Sequence, residues 1–243
     1  MKEDEYFRSM ITSFRLSFWI AIILLFCSEA FSQDRSSASE EKYLITHYFA
    51  SDISFKQQLT LAYREIIAGD YKSSSHRLVQ LRKKAKTAEQ IAAIQTYEAN
   101  IAYNESRYAR SIELCDSADR ALRMNMTHRY ALKAKNFKAK AMGALNHYDP
   151  AKAILDTVIL ISQETGDHYN LAAAYYYYGS FYSDLGDYAT CASYIKKSIK
   201  LREKINDEIG LAACYSFLGL CYSHLDDYLQ GIEYIQKSIV IRE

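Results

Sequence analysis

One proline, one tryptophan and eight glycines are all that 243 residues contain of those three types. With Pro150 alone, no long helix is interrupted along the chain. The glycines are scattered, so no phosphate-cradling loop can be built from them. Charge of one sign is lacking too. The 30 basic and 29 acidic residues leave a net charge of +1, which gives no footprint for a nucleic-acid partner. The five cysteines contain no CxxC pair and the six histidines share no ligand spacing, so neither a metal nor a cofactor is expected. No GxSxG, HExxH or paired-carboxylate arrangement is present, and the chain reads as a non-enzyme.

What is abundant is tyrosine, with 22 copies. Five of them, Tyr71, Tyr108, Tyr148, Tyr188 and Tyr228, follow one another at 37, 40, 40 and 40 residues. A fixed period of this size signals stacked copies of one small unit. Nine residues before each tyrosine stand Ala62, Ala99, Ala139, Gly179 and Gly219, all small. Three after it stand Ser74, Ser111, Ala151, Cys191 and Gly231, small again. Two before it stand the turn formers Gly69, Ser106, Asn146, Gly186 and Asp226. Seven after it come the apolar Leu78, Cys115, Leu155, Ile195 and Ile235. The last two units are close copies: residues 171–203 and 211–243 share 17 of 33 positions.

Apolar residues at helical spacing lie on both sides of each turn, so each unit predicts a helical hairpin. Small residues at the two recurring positions let its helix backbones approach closely. Thr87-Ala88-Glu89-Gln90 reads as a capping box. Asp149-Pro150 reads as a cap followed by a first-turn proline. Thr127, Asp167 and Asn206 are cap candidates for other helices.

The succession of Gly or Ala, Tyr, a Leu-Gly-Asp-Tyr turn, a small residue, Tyr-Ile and Ser-Ile resembles the tetratricopeptide repeat. Leu185-Gly186-Asp187-Tyr188 and Leu225-Asp226-Asp227-Tyr228 carry it most clearly. The resemblance covers residues 52–243 and implies an all-α, right-handed superhelical solenoid of about five antiparallel helix-turn-helix repeats. The units are expected at 52–87, 88–126, 127–166, 167–206 and 207–243. A period of 40 exceeds the usual ~34, and the closing proline is absent. The longer form resembles repeats of bacterial sensor and regulator proteins. HEAT-type arrays have a similar period but lack this register.

The first 32 residues differ in kind. The apolar run 16–26 covers 11 residues behind Arg8 and Arg15, short of the ~20 a membrane span needs, and Ala30-Phe31-Ser32 follows. This reads as a signal peptide cleaved after Ala30 or Ser32, with an uncleaved anchor or a lipoprotein site at Cys27 as alternatives. Residues 33–51 form a polar linker, in which the apolar 43–49 stretch is suited to cap the first repeat. Export across an inner membrane, to the periplasm or the cell surface, is the expected location. In such an oxidising setting the four remaining cysteines are either small buried hydrophobes or include a Cys191–Cys221 bridge between neighbouring hairpins.

The resemblance places the binding surface on the first helix of each hairpin. Its groove positions are Lys56 and Tyr63; Thr96, Asn100, Tyr103 and Asn104; Lys133, Asn136 and Lys140; Tyr176, Ser180, Ser183 and Asp184; and Ser216, Ser223 and His224. Asn100, Asn104, Lys133, Asn136 and Lys140 suit a clamp in which amides pair with a peptide backbone and lysines hold a carboxylate. The bland alternative is that the lysines solvate an Ala-rich helix. In the run Tyr175–Tyr178 only Tyr176 is expected to face the groove. The implied function is an exported protein- or peptide-interaction module, the sensing or regulatory part of a bacterial signalling protein. The alternative is a free-standing periplasmic or surface scaffold. Glu243 aligns with Glu203 at the end of a second helix, so a continuation into further repeats, a membrane span or an output domain is expected. Membrane contact is expected only through the signal peptide or such a downstream segment.

Overall fold

The computed structural model of the protein describes residues 53–122 and 127–242. The expected signal peptide, linker and 43–49 cap, and the chain end at Glu243, lie outside them. Among the described residues ten helices and no strands occur. They pair as α1 (Ile53–Ile67) with α2 (Tyr71–Lys84), α3 (Ala88–Asn104) with α4 (Tyr108–Ala121), and α5 (Arg129–Ala144) with α6 (Tyr148–Thr165). Then come α7 (His168–Asp184) with α8 (Tyr188–Ile205), and α9 (Glu208–His224) with α10 (Tyr228–Arg242). Each hairpin packs on the next, which makes a helical solenoid.

The five periodic tyrosines are the first residues of the five second helices. The turn before each one is closed in the same way. Gly69, Ser106, Asn146, Gly186 and Asp226 all have positive φ, from 59° to 78°. The residue after each of them donates its N–H to the carbonyl five residues back, at 2.8–3.0 Å, as in Asp70 to Glu65 and Asp187 to Tyr182. This closure satisfies carbonyls that a helix end leaves orphaned. A side chain with a Cβ pays for the left-handed conformation, so Gly186→Val is expected to lower stability by about 1–2 kcal/mol. Ser106→Gly is expected to raise it by several tenths of a kcal/mol. Urea unfolding of the two variants checks both signs.

The recurring small residues are buried. Ala62, Ala99, Ala139, Ser74, Ser111, Ala151 and Cys191 are completely inaccessible, and Gly179, Gly219 and Gly231 are buried with them. In the first two hairpins the small serine of the second helix donates to the carbonyl of the small residue opposite. Ser74 Oγ reaches Ala62 O at 2.9 Å and Ser111 Oγ reaches Ala99 O at 2.8 Å. In the last two, a later serine does the same: Ser198 to Ala172 O at 2.8 Å and Ser238 to Ala212 O at 2.7 Å. Leu78, Cys115, Leu155, Ile195 and Ile235 fill the space between the pairs.

Several caps fall elsewhere than expected. Thr87 and Gln90 do form the reciprocal capping box, and Asp167 caps α7 by accepting from Asn170 N–H. Asn206, however, is the left-handed end of α8 (φ 54°), and its neighbour Asp207 caps α9. His128, not Thr127, accepts from Tyr130 N–H at the start of α5. Asp149 lies inside the first turn of α6, whose preceding residue is His147. The left-handed residues Asn146 and Asn206 fix where the chain turns, so His147 and Asp207 stand at the starts of the next helices; Asp207 accepts a capping hydrogen bond there and His147 makes none. Pro150 still sits in the first turn, where a missing N–H costs little.

Candidate peptide-binding face

The first helices of successive hairpins adjoin one another, α3 on α5 and α5 on α7. On α5, Lys133, Asn136 and Lys140 recur at helical spacing and form one stripe. Each reaches a neighbouring first helix, but they differ in what remains for a ligand.

Lys133 is buried at 6% exposure. Its ammonium donates to the Tyr97 hydroxyl at 3.2 Å and lies 4.6–5.3 Å from the ring centroids of Tyr63, Tyr97 and Tyr169. Asn136 departs further from the clamp expectation, since it is 1% exposed. Its amide donates to the Asn170 carbonyl at 3.1 Å, joining α5 to α7. Asn170 in turn donates to Arg129 O and to Asp167, so the Asn136 NH2 group is spent on the junction between hairpins, while its buried Oδ1 has no hydrogen-bond partner among the described residues. Thr96, another expected groove residue, is buried and donates back to Ala92 O.

Lys140 is different. It is half-buried, with Nζ 3.7 Å above the Tyr103 ring centroid and 5.9 Å from that of Tyr177. Among the described residues it has no carboxylate within salt-bridge distance. Burial therefore pulls its ammonium down to about 8. The two aromatic faces offset part of that cost by attracting the cation. Burial likewise raises the Tyr103 hydroxyl, with smaller contributions from Tyr108 and Asp184. Asp184 closes this end of the face; partial burial raises its carboxyl, opposed by the nearby Tyr148 hydroxyl.

Asn100 and Asn104 share α3 with Tyr103, and Asn104 Nδ2 approaches Asn100 Oδ1 at 3.4 Å. Asn104 is exposed and Asn100 half-buried. Tyr176 and Ser180 are both half-buried on α7. Tyr176 packs edge-on against Tyr177 at 5.7 Å and against Phe217 of α9 at 5.5 Å. The structure thus brings Tyr103, Lys140 and Tyr176 into one row, with Asn100 and Asn104 beside it on α3, and leaves Asn136 out. Tyr177 packs against the core, as the helical spacing expects, and its ring centroid also lies 5.9 Å from Lys140 Nζ; Tyr178 stacks on Tyr194, and Tyr175 meets that ring at a tilt.

Sequence reasoning missed Arg202. Its guanidinium lies 6.0 Å from the Tyr176 ring, donates to Ser198 Oγ at 3.1 Å and pairs with Asp207. The signal was present in the repeat itself, because Arg202 and Arg242 are identical positions of the two closest copies. Among the described residues there is no group of three or more His, Cys, Asp or Glu able to hold a metal ion. No described helix is long and apolar enough to cross a membrane.

Comparison with known proteins agrees with this geometry. The tetratricopeptide-repeat family model matches residues 170–243. The chain is similar in fold to BtubC (BKLC) from P. vanneervenii, with a TM-score of 0.56 at 16% identity, covering 93% of this chain and 91% of that one. It is similar to a putative kinesin light chain from Podospora anserina, described by its nearly identical TPR-like repeats, with a TM-score of 0.51 at 17% identity, covering 77% and 93%. The apo form of RapI gives 0.54 at 15% identity, covering 78% and 70%. No curated protein matches the sequence. Residues 170–243 thus match the tetratricopeptide-repeat family model, and the described array as a whole has the TPR-like solenoid fold.

Proposed function

We propose that this chain is an exported peptide-recognition module, the sensing part of a bacterial signalling protein, and that its inner face takes a segment bearing a carboxylate. The observation that carries the binding reading is Lys140. A half-buried ammonium held between Tyr103 and Tyr177, with no carboxylate within salt-bridge distance among the described residues, is costly unless a ligand completes it. Asn100 and Asn104 on the flanking helix offer donors and acceptors for a peptide backbone. Export rests on the apolar run 16–26 and the small residues at 30 and 32.

The test uses N-acetylated peptides that end in Asp or Glu, each made with a free and with an amidated C-terminus. The full chain is expected to prefer acidic, free-acid peptides. Lys140→Met should weaken them at least tenfold without changing helicity. Equal binding by wild type and Lys140→Met would remove the proposal. Stable co-purification with an envelope complex, without peptide binding, would favour the scaffold reading instead. For the export half, N-terminal mass analysis of the secreted product should give a chain beginning near residue 31 or 33.

A further inference from the structure

Two thiols meet at the junction of the fourth and fifth hairpins. Cys191, on α8, and Cys221, on α9, are both completely buried, and their Sγ atoms are 2.6 Å apart. A disulfide needs only about 0.5 Å less. The same junction one hairpin earlier is built from other residues. There Ala151 and Phe181 stand at the equivalent positions, and the Phe181 ring fills the space above Gly143. The cysteines are therefore not imposed by the repeat, which accepts an aromatic ring and a methyl group in their place. The other buried thiols have different neighbours: Cys214 Sγ faces Ser198 Oγ at 3.4 Å, and Cys115 lies on α4, in another core cluster.

We propose that Cys191 and Cys221 are a disulfide site, which closes when the chain folds in the presence of a disulfide oxidant and ties α8 to α9. The Cys221 thiolate attacks one sulfur of the oxidant R–S–S–R and expels R–S⁻, giving a mixed disulfide. The Cys191 thiolate then attacks Cys221 Sγ and expels the second R–S⁻. Two thiol protons end on two R–SH, and the oxidant takes up two electrons. Either thiol can donate across the contact; the contact raises the Cys191 thiol, with burial adding to this, and lowers the Cys221 thiol, which favours Cys221 as the first nucleophile. The bridge spans 30 residues of sequence, a loop long enough to restrict the unfolded chain appreciably. A reducing compartment leaves the pair as thiols; an oxidising one locks the two hairpins together.

The experiment is refolding of the full chain with oxidised and reduced glutathione, then thiol blocking and peptide mass mapping without reductant. The chain has five cysteines. Three blocked thiols and one cross-linked pair containing residues 191 and 221 are expected, with a melting midpoint about 5–10 °C above that of the reduced chain. Cys221→Ala, treated identically, should keep all four of its thiols and lose the shift. Five blocked thiols in refolded wild type, or a pair joining Cys191 to Cys214, would overturn the assignment.

Discussion

Gly179→Leu should unfold the fourth hairpin from its own partner helix. A Cβ added at Gly179 would sit 2.7 Å from Ile195 Cδ1, 3.0 Å from Ile195 Cγ1 and 3.3 Å from the Cys191 carbonyl oxygen. The isoleucine is completely buried and the carbonyl belongs to a helix backbone, so neither can move aside cheaply. A leucine adds three further carbons to that collision. A cost of about 3 kcal/mol or more is expected, at the upper end of what overpacking produces. Ala62→Gly supplies the control: it removes one methyl group from the equivalent position and should cost about 1 kcal/mol through helix propensity. Chemical denaturation followed by circular dichroism measures both. Equal midpoints for Gly179→Leu and wild type would contradict the close approach of α7 and α8.

Arg202→Ser is expected to cost about 3–5 kcal/mol, because it breaks a charge pair that the fold has already desolvated. Arg202 and Asp207 keep only 11% and 5% of their side-chain surface. Asp207 caps α9 through Oδ1, which accepts from Gly210 N–H at 3.0 Å, while Oδ2 takes the guanidinium. The preceding junction solves the same problem with different residues. There Asp167 Oδ1 accepts from Asn170 N–H, Oδ2 accepts from the Asn170 side chain at 2.8 Å and lies 3.8 Å from Arg129 Nε, and Ser162 stands where Arg202 would be. The two solutions exclude each other in space, since a Cβ at position 210 would overlap the guanidinium. Gly210→Ala in the wild-type chain should therefore destabilise despite its better helix propensity. Combining Arg202→Ser with Gly210→Asn should recover a substantial part of the loss, as it copies Ser162 and Asn170 into the last junction. Additive damage from the two substitutions would show that the swap is not the reason for the arginine.

The hairpins were legible because their constraints are local and repeat. A small residue at two positions and a turn former at a third carry the whole geometry, and each appears five times. The cap positions were less legible. Asn206 and Asp207 are both good cap formers, and only the left-handed φ at Asn206 assigns the cap to Asp207. Asn136 looked like a ligand group by residue type and register. Its burial depends on Asn170, 34 residues away, and on the closeness of α5 and α7 at that level. Tyr177 was assigned to packing by a period count that places it one residue off the groove. Its ring packs against the core as that count requires and also lies 5.9 Å from the Lys140 ammonium, with Tyr176 edge-on beside it. Arg202 lies on a second helix, outside the register from which groove residues were counted, so its pairing with a cap aspartate five residues on had no counterpart in the pattern.

The claim on which the functional reading rests is that a ligand carboxylate meets the Lys140 ammonium, and proton linkage measures that contact directly. In the free chain this group titrates near 8, lowered from its ordinary value by burial. A bound carboxylate must raise it, so the complex holds a proton that the free chain has partly lost. Binding an N-acetylated acidic peptide should therefore take up a proton at pH 8–9, take up almost none at pH 6, and weaken as the pH rises past 8. Calorimetric titration in buffers of different ionisation enthalpy gives the proton count. Uptake at pH 8.5 that vanishes in Lys140→Gln is the predicted result; binding with no proton uptake at that pH would contradict the account.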